Sequence, residues 1–308
     1  MQNRLDGLYE FLAVAEAGSF TTAARRLLTT KSVISDRVRA LEDRLGSRLF
    51  DRTTRRVHIT EAGRIFLAHA RRIASEADAA ENALQDLSGE PRGLLRVATT
   101  VNFAALFIAP LLAEFRRTNP MVDIEILAEE VVRDPAEAGA DVAIRFGAIE
   151  RQSAIARRIA PVHYILCAAR SYLDAQGIPE KPSELAGHIC LAFRDVAPWS
   201  PWRLRRGSEY FELVPRDGVS TRNGIVHRAL ILAGHGIGMI NWLAVADAIA
   251  DGSIVRLFPD WKLDGFEDMA SWVILPDNRA VPPKVRVFVD FIAARMRELT
   301  SFHEANSS

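Results

Sequence analysis

Cysteine is nearly missing from this chain. Cys167 and Cys190 are the only two in 308 residues. Two thiols build at most one bridge rather than a disulfide framework, and such usage suits a reducing compartment. There is no run of about 18 apolar residues, so no transmembrane helix and no membrane partner are expected. The opening stretch MQNRLDGLYEFLAVAEAGSF mixes acids into its apolar positions. A secretory leader needs a clean apolar centre, so none is read here and a cytoplasmic location is expected. Metal-binding patterns are missing as well. The seven histidines form no H-E-x-x-H pair, and the cysteines stand 23 positions apart. The glycine-rich GHGIG at 234–238 follows a helical run rather than a strand, which is the wrong context for a dinucleotide fingerprint. Cys167 sits in the apolar run HYILCAA, the setting of an inert buried thiol. No catalytic constellation, metal or cofactor is expected.

Net charge is also missing, with 39 Lys+Arg against 39 Asp+Glu. That balance argues weakly against a nucleic-acid binder, but it hides an asymmetry. From Thr21 to Arg72 there are 13 Lys+Arg and 5 Asp+Glu, so the other 256 residues carry the compensating acids. A basic block on a balanced chain is either a solvated helical surface or the footprint of an anionic partner. The remaining composition, 49% hydrophobic and 25% charged, is that of a globular protein with two or three domains.

Inside the basic block the apolar residues keep helical time. Leu5, Leu8, Phe11, Leu12 and Ala15 predict a first helix ended by Gly18. Thr21 or Ser19 can cap a short second helix over about 22–28, with Ala23, Ala24 and Leu27 inward. Thr30 can cap a third helix whose stripe is Ile34, Val38, Leu41 and Leu45, stopped by Gly46. Its other face carries Lys31, Ser32, Ser35, Asp36, Arg39 and Asp43, with Arg37 and Arg44 at the flanks. The helix is about 20 Å long with a small, polar front end that a major groove admits. DRTTRRVHIT then reads as a hairpin with Arg52, Arg55 and Arg56 around its turn. Helix, turn, helix and arginine-bearing hairpin together make a winged helix-turn-helix, with the wing placed to reach a phosphate backbone or minor groove.

The stretches GSFTTAARRL and SVISDRVRALEDRLGSRLFDRTTRRVHITEAG resemble the DNA-binding segment of LysR-type transcriptional regulators over about sixty residues. Lys31 stands where that family often has Pro or Gln, and Asp36 where it often has Arg or Lys. Asp36 either accepts from a cytosine amino group or holds Arg39 or Lys31 in place. The DNA-facing set that follows is Thr22, Thr30, Lys31, Ser32, Ser35, Asp36, Arg37, Arg39, Arg52, Arg55 and Arg56.

After Thr60-Glu61, the residues Phe66, Ala70, Ile73, Ala77, Ala80, Leu84 and Leu87 alternate spacings of four and three, a heptad seam. The seam packs either on its own domain or on a second copy. The resemblance implies an antiparallel pairing of these helices, in a homodimer or homotetramer. Gly89, Pro91 and Gly93 break the pattern.

From Leu94 onward strands and helices alternate, which predicts α/β architecture with largely parallel sheets. This part resembles the effector domain of the same family, built like a type 2 periplasmic binding protein. The expected organisation is a winged domain over 1–60, a linker helix over 61–90, an effector domain over 91–300 and a tail over 301–308. Lobe I would hold about 94–162 and 268–300, lobe II about 163–267. GHGIGMI followed by DGSIVRLFPDW is the most telling local match, although Asn241 stands near the usual proline and His235 lies between the glycines. The turn Thr99, Thr100, Val101, Asn102 before a helix favours an anionic effector group. Phe146, Phe193, Arg194 and Asn223 are further cleft candidates by position in that fold. The two phenylalanines are alternatively core, and Arg194 a surface charge. Trp199 and Trp202 either line the mouth or cap a lobe. The function implied is a DNA-binding regulator tuned by a small molecule, acting on RNA polymerase indirectly through promoter DNA. The alternative is a small-molecule binding protein without specific DNA binding, which needs neither a basic block nor a heptad linker.

Overall fold

A computed structural model describes residues 5–52, 57–85, 90–129, 135–147, 155–193, 199–215, 219–276 and 281–305. The N-terminal unit begins with α1 (Leu8–Ala17), closed by Gly18 in the left-handed region, as its sequence predicts. Next is α2 (Phe20–Arg26), capped by Ser19, whose hydroxyl accepts from the Thr22 N–H at 3.4 Å. This helix starts and stops earlier than its apolar spacing suggested. Phe20 therefore joins the core, while Leu27 falls past the helix end and is exposed. Thr30 caps α3 (Lys31–Leu45), accepting from the Val33 N–H. Ile34, Val38 and Leu41 are buried, but Leu45 is 41% exposed because the last turn runs beyond the packed core.

The hairpin strands β1 (Phe50–Arg52) and β2 (Val57–Ile59) pair antiparallel, with Phe50 opposite Ile59. Phe50 meets Phe11 and Phe20 at ring separations of 5.2 and 5.8 Å. Burying each such ring contributes about 2 kcal/mol. The long helix α4 (Glu61–Gln85) follows at once. Thr60 accepts from the Gly63 N–H at 2.9 Å and donates to the Arg48 carbonyl at 2.7 Å. A Cβ on Gly63 would lie 2.2 Å from the Leu49 carbonyl oxygen. That close approach explains why a glycine stands three residues after Thr60.

The second part opens with β3 (Gly93–Thr100), α5 (Val101–Phe103), a π-helical and then a 3-10 turn, and α6 (Leu112–Thr118). Then come β4 (Val122–Glu129), α7 (Pro135–Ala138), β5 (Val142–Gly147) and β6 (Ile155–Pro161). The chain crosses into β7 (Tyr164–Ala169), α8 (Arg170–Gln176), β8 (Cys190–Phe193), β9 (Trp202–Arg206) and β10 (Glu209–Leu213). It continues through β11 (Ser220–Thr221), α9 (Gly224–Leu232), β12 (Ile237–Asn241), α10 (Ala246–Ala250), β13 (Ile254–Leu257) and β14 (Lys262–Leu263). It then crosses back into β15 (Ala270–Leu275) and ends in α11 (Pro283–Ala305).

Two five-stranded sheets result, β4-β3-β5-β15-β6 and β11-β8-β12-β7-β13. They are mixed rather than largely parallel. β3 runs parallel to β4 and β5, but the returning strand β15 opposes β5 and β6. β12 runs parallel to β8 and antiparallel to β7. A chain that enters the second lobe and comes back must place its crossover strands against the local direction. The two crossovers touch where the Val162 N–H donates to the Met269 carbonyl at 3.1 Å. A third, small sheet, β10-β9-β14, was not anticipated.

Candidate nucleic-acid interface and effector cleft

On α3 the residues Lys31, Ser32, Asp36 and Arg39 are exposed, and Ser35 is partly so. Val33, 39% exposed, shares this surface and adds an apolar contact not anticipated from the sequence. The Thr30 hydroxyl caps the helix and lies 3.0 Å from Ser32 Oγ. Thr22 is exposed on α2. Asp36 makes no ion pair with Lys31 or Arg39 among the described residues, so the expected internal tether is not formed. Arg37 differs more. Its Nη1 donates to Glu10 Oε1 at 2.5 Å, which draws the guanidinium toward α1. Arg52 ends β1, and Arg55 and Arg56 lie outside the described residues.

Glu42 is the residue that the sequence did not disclose. It is 8% exposed, and its Oε1 accepts from the Leu49 and Phe50 N–H groups at 2.8 and 3.1 Å. A carboxylate on α3 thus fixes the backbone that leads into the wing. The signals available were an acid directly beside the apolar stripe and its place in LEDRLG, a segment that carries the family resemblance.

The heptad seam divides. Phe66 packs edge-on to Phe11 at 5.1 Å, and Ala70 is buried in the N-terminal core. These two residues belong to their own domain, which corrects their assignment to a dimer seam. Beyond Ala74, which still packs on that core, the helix leaves it. Ile73 and Ala80 are exposed, and Ala77 is partly so. Leu84 lies within α4, and Leu87 falls outside the described residues.

In the cleft turn, Thr99 is corrected. It is buried at 0% exposure and its hydroxyl donates to the Ile144 carbonyl at 3.1 Å, because it still sits in register inside the sheet. Thr100, one residue on, accepts from the Phe103 N–H at 3.2 Å and starts α5, where Val101 is partly buried. Asn102 reaches across to the second lobe, where its Oδ1 accepts from the Ile225 N–H at 3.2 Å. Asn223 caps α9, accepting from Ile225 and Val226 at 3.0 and 3.2 Å. Phe146 is half-buried, edge-on to Phe103 at 4.7 Å and to Phe107 at 5.6 Å. Opposite, half-buried Phe193 meets Trp199 at 5.9 Å and His227 at 5.5 Å. Arg194 lies outside the described residues. Trp202 is buried on β9 and lines no mouth.

Behind Phe193, His227 is buried, with Nε2 at 3.1 Å from the Met239 carbonyl. Nε2 is therefore the protonated nitrogen, and Nδ1 has no partner. Burial holds the imidazole down to about 4, against a weaker opposing pull from the Met239 carbonyl. Burial likewise pushes the Tyr164 phenol up to about 12, opposed by its hydrogen bond with Trp199. A cavity of about 640 Å³ lies at the two crossovers, lined by Tyr164, Arg256, Trp261 and Phe266 among others. None of the anticipated cleft residues borders it. The Cys167 thiol is pushed up to about 12 by burial. Cys167 and Cys190 sit on β7 and β8 with β12 between them, about 10 Å apart and beyond disulfide reach. Among the described residues there is no cluster of metal-ligating side chains, and no helix is long and apolar enough to cross a membrane.

Two family models match the chain. Residues 5–64 match the bacterial regulatory helix-turn-helix protein of the lysR family, and residues 88–297 match the LysR substrate binding domain. The HTH-type transcriptional regulator PtxR of Pseudomonas aeruginosa is 33% identical over 93% of this chain and 91% of its own length. The HTH-type transcriptional activator AaeR of Escherichia coli is 34% identical over 93% and 92%. Among solved structures, CrgA of Neisseria meningitidis aligns with a TM-score of 0.61 at 29% identity, over 94% of this chain and 98% of that one. The Vibrio cholerae virulence activator AphB aligns at 0.59 and 26%, with the same coverage.

Proposed function

This chain belongs to the LysR family of transcriptional regulators, a DNA-binding protein modulated by a small-molecule effector, and on that premise we propose which residues do the work. The exposed face of α3 enters a major groove. Lys31, Ser32, Ser35, Asp36 and Arg39 choose bases, while Arg52, Arg55 and Arg56 on the wing meet phosphates. The observation that carries this reading is the two-faced helix, with Ile34, Val38 and Leu41 buried beneath an exposed, partly cationic front. Thr22 and Thr30 border that front. Arg37 acts indirectly, by tying α3 to α1 through Glu10.

The effector sits between the lobes, against Thr100, Val101, Asn102, Phe146, Phe193 and Asn223, with Arg194 beside Phe193 in sequence. An anionic group suits the amide-rich turn, and the flanking rings suit an apolar body. The stretch of α4 from Ile73 through Ala77 and Ala80, with Leu84 and Leu87 continuing the seam in sequence, pairs with a second copy, giving a homodimer or homotetramer that spans two half-sites. Effector binding changes the placement of those copies on DNA, and so the access of RNA polymerase. It can do this only through different affinity for the two arrangements. The chain acts in the cytoplasm and as a regulator rather than an enzyme.

The test is a pair of variants. Arg55→Ala with Arg56→Ala should weaken binding on every sequence and flatten its salt dependence. An unchanged salt slope removes the wing from the interface. Thr100→Leu should bind DNA normally and lose the inducer response, and a full response in that variant removes the cleft assignment.

A further inference from the structure

The cleft of this molecule is bridged. Asn102 belongs to α5, which follows β3 in the first sheet, and Ile225 belongs to α9, which follows β11 in the second. The Ile225 N–H donates both to Asn102 Oδ1 at 3.2 Å and to its own cap, Asn223 Oδ1, at 3.0 Å. The amide of one lobe is therefore engaged at the first turn of a helix in the other.

Gly224 makes this approach sterically open. A Cβ there would lie 2.8 Å from Asn102 Nδ2 and 3.1 Å from Asn102 Cγ. The backbone at Gly224 has no left-handed φ to demand glycine. Gly224 is the first residue of α9, directly after its cap Asn223, so its missing side chain is what leaves Asn102 room at the helix start.

We infer that Asn102 is an interlobe latch that positions the two lobes in the closed arrangement without effector, with Gly224 as its strike plate. The inference rests on the effector-cleft reading above and adds the resting state of that site. One such hydrogen bond shifts the closed-to-open ratio by roughly two- to tenfold. A bond of that size holds the lobes yet is readily overridden, since an effector with a larger difference in affinity between open and closed forms reverses it.

The experiment uses the full chain with one spin label in each lobe, at Arg117→Cys and Ala175→Cys, both exposed positions. The native thiols are buried and stay unlabelled. Pulsed electron–electron distances are read for four proteins: the parent, Asn102→Ala, Gly224→Ala and Asn102→Asp. Asn102→Ala removes the interlobe acceptor and leaves the Ile225 N–H to Asn223 alone. Gly224→Ala displaces that acceptor while adding only a methyl group at the first residue of α9. Asn102→Asp keeps an acceptor oxygen and should rescue. The latch predicts that the first two variants shift the distance distribution by roughly two- to tenfold in population, and that the aspartate variant matches the parent. Identical distributions in all four overturn the latch. The same proteins are footprinted on an operator fragment. A changed footprint in the two opened variants supports the regulatory role. Opened lobes with an unchanged footprint overturn that role and leave the cleft's link to DNA, not the latch geometry, as the part that failed.

Discussion

Glu42 and His227 show how much depends on single side chains outside the obvious surfaces. Glu42 satisfies two N–H groups at the entrance to the wing. Glu42→Ala leaves both without that acceptor, at a cost of about 2 kcal/mol or more. Amide hydrogen exchange over residues 48–60 should quicken, and DNA binding should weaken on all sequences alike. Glu42→Gln, which keeps one carbonyl oxygen, should recover most of the protection. Exchange unchanged in Glu42→Ala would show that the wing is held by other means. His227 makes a pH prediction. Its folded value is about 4, against an ordinary 6.5. In the window between them, the unfolded chain binds a proton that the folded chain does not. Stability is therefore complete above pH 6.5 and falls as pH drops toward 4, by about 3 kcal/mol at the acid end. Thermal melts of His227→Gln should be flatter than the parent across that window. Parallel curves would contradict the assignment. Cys167, buried with its thiol pushed up to about 12, should resist an aromatic disulfide reagent until the chain unfolds. Rapid reaction in the native state would contradict its inertness.

At the scale of elements, α4 is the informative case. Its periodicity is real, but one period serves two partners in succession. Phe66 and Ala70 complete the N-terminal core, while Ile73 and Ala80 beyond them are exposed and Ala77 partly so. Ile73→Glu with Ala77→Glu should therefore lower the oligomeric mass seen by light scattering while leaving the winged domain folded. A mass unchanged at micromolar protein would place the copies' contact elsewhere. The same helix shows what a sequence discloses. Spacing reveals that an apolar stripe exists but not what covers it. The sequence marks a turn at 99–102, but only the register with Ile144 separates Thr99 from Thr100. Trp202 and Leu204 alternate with Arg203 and Arg205 in a period of two, the signature of β9. That alternation spans only five residues, so the hairpin is weakly marked in the sequence. Arg37 looked like its arginine neighbours, since the acid that claims it, Glu10, lies 27 positions away.

At the scale of the whole molecule, three features act together: a winged unit with a cationic front, a helix with an exposed apolar run, and two mixed sheets joined by paired crossovers. In the function proposed above, the front supplies affinity and base choice, the helix sets spacing between copies, and the cleft biases that spacing. Phosphate contacts alone would give attraction without addresses, because they carry no sequence information. The central claim is therefore that α3 reads particular sites. Sheared host DNA enriched on the purified protein at low and moderate salt, then sequenced, tests it directly. The control carries Arg39→Ala, Arg55→Ala and Arg56→Ala. A few sharply enriched, pseudo-palindromic sites that survive moderate salt and vanish in the control are the predicted result. Diffuse enrichment that disappears with salt in both proteins would contradict it.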